Sequence, residues 1–203
     1  MHRGPPTPIE GAPIAPRMIA LCSAFAETHP RIATPMSHLD DLIRRFCAQR
    51  DMLNAALGLL RVEDFDPSLI AVELGLGSGR SYDHLREGLS GRALYAFDFE
   101  VATHPGFEPP GEYLVLGDIL ERFPEFARAR QAMACLVHVD IGTRDRVTDA
   151  RRYAALIPAI ERISVPNAIV VSDRPLATPG LDAIGPGAAP GEWPYFLYRR
   201  QTA

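Results

Sequence analysis

Three alternate glycines close an apolar run in Glu73-Leu74-Gly75-Leu76-Gly77-Ser78-Gly79-Arg80-Ser81, and no other stretch restricts the fold as tightly. Glycine serves where a Cβ would block a close approach or where φ must be positive, so the segment reads as a tight turn from a strand into a helix. Such a turn brings backbone amides against a ligand, and the helix that follows offers unpaired N–H groups to an anion. A dinucleotide fingerprint, G-x-G-x-x-G, fails in both frames, because its last slot falls on Arg80 or Tyr82. A phosphate-binding P-loop and Schiff-base chemistry both need lysine, and all 21 basic residues are arginine.

Around the turn, unbroken apolar runs alternate with helical or loop segments. The runs are residues 70–76, 93–99, 113–116, 134–139 and 168–172. Because they do not alternate apolar with polar, they read as parallel strands covered on both faces. Residues 150–163 place Tyr153, Leu156, Ile157, Ile160 and Ile163 at helical spacing, as a crossover helix does. A last run, residues 195–198, follows a Gly- and Pro-rich loop and is expected to return antiparallel at one end of the sheet. The expected class is α/β, a doubly wound, mostly parallel sheet with a short C-terminal antiparallel strand and an N-terminal helical cap.

Residues 1–35 hold seven prolines, a density that denies helix and ladder hydrogen bonds, and read as a flexible arm, either a plain tail or a lid. Over residues 36–62, Leu39, Leu42, Ile43, Phe46, Leu53, Leu57 and Leu60 recur at three- and four-residue spacing, which predicts one amphipathic cap helix. Ser37 with Asp40 resembles a capping box. The other face carries Arg44, Arg45, Gln49 and Arg50, either solvated or offering guanidinium groups to a carboxylate at a ligand site. Residues 63–203 make up the sheet domain, so one globular domain is expected overall.

Composition narrows the partners. With 47% apolar and 23% charged residues the chain is an ordinary globular one, and a net charge of −4 gives no attraction to nucleic acid. Cys22, Cys47 and Cys135 lack paired spacing, so neither a disulfide framework nor a zinc knuckle is indicated. No apolar stretch at the N-terminus has the length of a span or the layout of a signal peptide, so a cytoplasmic location without a membrane partner is expected.

The acid and glycine turn, E-x-G-x-G-x-G, resembles the first motif of class I S-adenosylmethionine-dependent methyltransferases. Three further strand ends are similar to that family's. Asp98 and Phe99 close the second run, where the family sets an acid on both ribose hydroxyls. Asp118 and Ile119 follow the third, where the family clamps adenine between an acceptor of its exocyclic amine and an apolar side chain. His138 and Asp140 lie in the segment similar to the one that flanks the methionine part of the cofactor and faces the acceptor. At finer grain, residues 41–53, 73–87 and 171–176 resemble a small bacterial group of S-adenosyl-L-methionine methyltransferases, and the likeness extends over residues 37–200.

The resemblance implies a Rossmann-like methyltransferase fold and S-adenosyl-L-methionine as cofactor. By the same likeness, Glu73, Gly75, Leu76, Gly77, Ser78, Gly79, Tyr82, Asp98, Phe99, Asp118, Ile119 and Asp140 would hold it. An in-line attack on a sulfonium methyl asks the protein mainly for alignment, and for a general base only when the nucleophile is protonated. His138, Asp140, Asp145 and Asp173 are the candidates for that base. For His138 the alternative is a residue enclosed in the sheet; for Asp140 it is a hold on the cofactor's amino group. Asp140 and Asp173 also end two adjacent runs, where some O-methyltransferases bind magnesium, but Arg174 beside Asp173 repels a divalent cation and no metal is expected.

A small-molecule acceptor is expected, since no basic patch with interleaved aromatics is present and residues 176–194 are too few for a substrate domain. The aromatics of residues 193–198 line an apolar pocket or belong to the core, and a homo-oligomer stays open. The same residues also fit a non-catalytic module for the nucleoside, an interaction protein on an empty nucleotide fold or, against the missing glycine, a nicotinamide-dependent oxidoreductase.

Overall fold

The computed structural model describes residues 37–143, 145–185 and 193–202; the proline-rich arm expected over residues 1–35 lies outside them. In chain order the elements are α1 (His38–Glu63), β1 (Ile70–Leu74), α2 (Arg80–Gly88), β2 (Leu94–Asp98), β3 (Leu114–Leu116) and α3 (Ile119–Ala129). They continue with β4 (Ala134–Val139), α4 (Arg146–Ile163), β5 (Ser164–Ser172), β6 (Leu181–Ala183) and β7 (Phe196–Arg200). The strands form one sheet in the order β3-β2-β1-β4-β5-β7-β6. The pairs from β3 through β5 are parallel. Every residue of β1 and of β4 is buried, which is why these runs show no polar alternation.

The order reverses between β1 and β4, and in open sheets of this kind a crevice forms beyond the strand ends at that point. Register sets what meets there: Glu73 pairs with His138 and Leu74 with Val139. One core lies against α3 and α4 and includes Phe97, Phe123, Val137, Tyr153 and Ile160. The other lies against α1 and α2, joining Leu53, Leu57, Tyr82 and Leu85 to Ile169, Val171 and Leu197.

Two expectations are corrected. The last strand does not finish the sheet: β7 pairs antiparallel with both β5 and β6, and β6 forms the edge. β6 is only three residues long with Leu181 alone buried, too little apolar pattern to announce a strand. The predicted stripe of α1 is only half used, since Leu53 and Leu57 are buried while Leu39, Ile43 and Phe46 are 66%, 52% and 41% exposed. Its N-terminal half has passed the strand ends, and its inward side chains meet Asp140, just beyond β4, rather than sheet. Among the described residues no helix is long and apolar enough to cross a membrane.

Candidate active site

Beyond the ends of β1, β2 and β4 lies a cleft of about 390 Å³. Gly75, Leu76, Gly77 and Ser78 of the glycine turn form one wall. Asp98, Phe99 and Ile119 stand to one side, Asp140, Ile141 and Gly142 to the other, and α1 contributes Arg45, Phe46 and Gln49.

The glycines do different jobs. A Cβ on Gly75, at φ +93, would lie 2.2 Å from the Asp140 carbonyl oxygen, so this glycine lets β1 and the end of β4 pack together. A Cβ on Gly77, at φ +49, would meet nothing within 4 Å and would project into open space. Gly79, at φ +81, starts α2, whose first turn no side chain caps. Those orphan amides and the helix dipole favour a negative group.

Asp98 links the turn to the second strand. Its Oδ2 accepts from the Gly77 N–H at 2.8 Å and its Oδ1 from the Phe99 N–H at 2.6 Å. Each carboxylate oxygen has a further lone pair, so a diol can still be received. The Phe99 ring is 71% exposed at the cleft, with Ile119 also on the wall. Asp118 stands off the wall as the N-cap of α3, its Oδ1 accepting from the Leu120 N–H at 2.9 Å.

Asp140 is held by the cap helix. Arg45 Nη2 is 3.0 Å from Oδ1 and the Gln49 amide donates to Oδ2 at 2.7 Å. Of the two readings of that helix face, the inward one holds for Arg45 and Gln49, whereas Arg50 pairs with its exposed neighbour Asp51. Among the unanticipated residues on the wall, Arg80 lies with its Cζ 5.3 Å from the Phe46 ring centroid. Ser81, Ile141 and Gly142 adjoin residues the motifs had already marked. Nothing in the sequence around Arg152, on α4, announces its place on the wall.

Several expected site residues lie behind the wall instead. Tyr82 is 2% exposed and belongs to the core with Leu53 and Leu57, because its position in the first turn of α2 faces inward. Glu73 and His138 are fully buried. Glu73 Oε1 accepts from the Ser81 hydroxyl at 2.5 Å and lies 3.6 Å from His138 Nδ1; His138 Nε2 lies 2.6 Å from the Tyr195 hydroxyl. Burial disfavours the imidazolium, but the Glu73 carboxylate, with Asp140 and Asp173 beyond it, outweighs this and raises the His138 pKa above its ordinary value. Tyr195, also core, has its hydroxyl pKa pushed well up by burial and by Asp140.

Asp173 is a fastening. The Tyr153 hydroxyl donates to its Oδ1 and Arg174 Nη1 to its Oδ2 at 2.9 Å, while Tyr153 accepts the Ile141 N–H at 2.9 Å. Arg174 also reaches the Thr143 carbonyl at 3.0 Å, and the Thr143 N–H donates to buried Asp149 at 2.8 Å. The loop after β4 is thereby pinned from beneath. Burial, then the charge of Asp140, pushes the Asp173 pKa up to about 6. Asp145 is the N-cap of α4, accepting from the Val147 and Thr148 amides. Cys47 and Cys135 are free thiols, and among the described residues no three His, Cys, Asp or Glu side chains form a group able to hold a metal ion.

The arrangement joins free amides, a carboxylate suited to a diol, a flat ring and an Asp–Arg pair in one cleft. No curated protein matches the chain. Among solved structures, an S-adenosyl-L-methionine methyl transferase from Silicibacter pomeroyi DSS-3 is 37% identical, over 81% of this chain and 99% of that one, with a TM-score of 0.71. A putative O-methyltransferase from Klebsiella pneumoniae shares the fold at 13% identity and a TM-score of 0.52, over 91% of this chain and 96% of that one. The family model described as S-adenosyl-L-methionine methyltransferase matches residues 36–200, and the chain belongs to that family of S-adenosyl-L-methionine-dependent enzymes.

Proposed function

We propose that the enzyme methylates a small-molecule acceptor, with the donor lying across the glycine turn and the acceptor reaching it beneath α1. The observation that carries this reading is the placement of Gly77, Asp98 and the Arg45–Asp140 pair around one cleft of about 390 Å³. That volume is in the range of small-ligand sites, about 300 to 1,000 Å³.

The residues fit S-adenosyl-L-methionine. Gly77 leaves open the space a Cβ would take, Asp98 can accept from two vicinal hydroxyls, and Phe99 with Ile119 can bracket a planar base. The Arg45–Asp140 pair and the uncapped start of α2 present opposite charges to the zwitterionic end of an amino acid. When bound, the cofactor supplies an electrophilic methyl group on a cationic sulfur. The chain's own contribution is alignment and exclusion of water, and orientation alone is worth about 7 to 11 kcal/mol in well-aligned reactions.

Of the four acid–base candidates, Asp140 alone reaches the wall; His138 and Asp173 are enclosed behind it, and Asp145 caps α4. Asp140 is already engaged by Arg45 and Gln49, which suits it to hold the cofactor's ammonium group. The test is a screen with methyl-labelled donor. Release of S-adenosylhomocysteine that depends on an added small molecule supports the reading. Turnover on RNA or protein alone contradicts it, and tight donor binding without turnover on any acceptor would make the chain a binding module.

A further inference from the structure

Glu73, His138 and Tyr195 are polar, enclosed and off the cleft wall, at 0%, 0% and 1% exposure. Burying such groups is costly unless they are bonded to one another. Here they form one line. Gln49 Nε2 donates to Asp140 Oδ2 at 2.7 Å and to the Tyr195 hydroxyl at 3.3 Å. The Tyr195 hydroxyl, which accepts from Gln49, lies 2.6 Å from His138 Nε2 and donates to it when the imidazole is neutral. His138 Nδ1, buried without a hydrogen-bond partner, faces Glu73 Oε1 at 3.6 Å, and Glu73 Oε1 accepts from the Ser81 hydroxyl at 2.5 Å.

Polarity in this line runs one way, with consequences at its exposed end. An amide can present either its NH2 or its carbonyl. If Gln49 turned its carbonyl to Asp140, two acceptors would face each other. By accepting from the amide nitrogen, the Tyr195 hydroxyl favours the orientation in which Gln49 donates to Asp140. The buried hydrogen bonds from Gln49 to Tyr195 and from Tyr195 to His138 also stiffen what they touch, here the middle of α1.

We propose that Tyr195 and His138 are positioning residues: anchored on Glu73, they orient the Gln49 amide, and through it hold α1 and Asp140 in the geometry that receives the amino-acid end of the cofactor. This rests on the preceding assignment of Asp140 to that end of the ligand.

The experiment is calorimetric titration of the wild type, Tyr195→Phe, Gln49→Ala and the double variant. Two ligands are used: S-adenosylhomocysteine, and 5′-methylthioadenosine, which lacks the amino-acid end. Tyr195→Phe is expected to weaken S-adenosylhomocysteine about five- to tenfold and to leave methylthioadenosine unchanged. On the Gln49→Ala background it should add nothing, because both act through one amide. His138→Gln should show the same ligand-selective loss. Equal losses for both ligands, or additive effects in the double variant, would overturn the proposal. A wild type that binds neither ligand contradicts the cofactor assignment instead, and hydrogen exchange of the ligand-free protein then decides whether Tyr195 and His138 hold α1. Tyr195→Phe should speed exchange at residues 44–50 and leave α3 unchanged, and unaltered exchange at residues 44–50 overturns it.

Discussion

Arg45 on the cap helix and Asp140 at the end of β4 are 95 positions apart in the chain and meet at 3.0 Å. The Arg45 side chain keeps 34% of its exposure and the Asp140 side chain 9%, so water weakens the pair from one side only. Arg45→Met should therefore lower stability by no more than about 1 kcal/mol in urea unfolding. It should weaken S-adenosylhomocysteine about tenfold and leave methylthioadenosine unaffected, because only the former carries the amino-acid end. A large stability loss with equal effects on both ligands would make the pair a purely structural clasp.

Gly75 and Gly77 separate packing from binding. Gly75→Ala would drive a methyl into the Asp140 carbonyl at a positive φ, and should cost on the order of 3 kcal/mol of stability. Gly77→Ala meets no atom and should cost about 1 kcal/mol, chiefly for its positive φ. Its methyl nevertheless enters the space assigned to the ligand, so donor affinity should fall by an order of magnitude or more. Chemical unfolding and calorimetry on the two variants check the contrast; a Gly77→Ala protein with unchanged affinity would remove the ligand from that wall.

Asp98→Ala removes the acceptor of the Gly77 and Phe99 amides together with the proposed acceptor of the sugar hydroxyls. Binding of both S-adenosylhomocysteine and methylthioadenosine should weaken by about 1 to 3 kcal/mol, since both carry the ribose. The matched loss distinguishes this residue from Arg45, and a loss confined to S-adenosylhomocysteine would misplace the sugar.

Two buried groups make stability depend on pH in the same direction. Asp173, with its pKa pushed up to about 6 by burial and Asp140, holds its proton more firmly folded than unfolded. Stability is therefore full below the ordinary carboxyl value of 3.8 and is lost as pH rises from there through about 6. His138, raised above its ordinary value despite burial, adds stability that is present below the unfolded imidazole pKa and lost as pH rises through the folded one. Tm should fall from about pH 4 to 6 through Asp173 and go on falling above the ordinary imidazole value through His138, and Asp173→Asn should remove the lower part of that slope. A Tm that climbs over the same range would contradict both assignments.

The strands that build the cleft were legible because burial on both faces writes itself into sequence as unbroken apolar runs, as in β1 and β4. The ends of those strands were legible too, since Gly77, Asp98 and Asp140 lie at or just beyond them and all reach the wall. What stayed hidden depends on distance in the chain. The insertion of β7 beside β5 is a fact of pairing, not of either strand's composition. Tyr195 meets His138 across 57 positions and Gln49 across 146, and no local pattern reports such contacts. Tyr82 failed for another reason: proximity to the motif says nothing about which side of the helix a residue occupies, and its side is the core.

The most direct measurement is a crystal structure of the enzyme with S-adenosylhomocysteine. The ribose hydroxyls are expected on the Asp98 carboxylate, the base against Phe99 and Ile119, and the amino-acid end at Arg45 and Asp140. A ligand seated elsewhere, or one that reaches the cleft without touching Asp98, would contradict that placement.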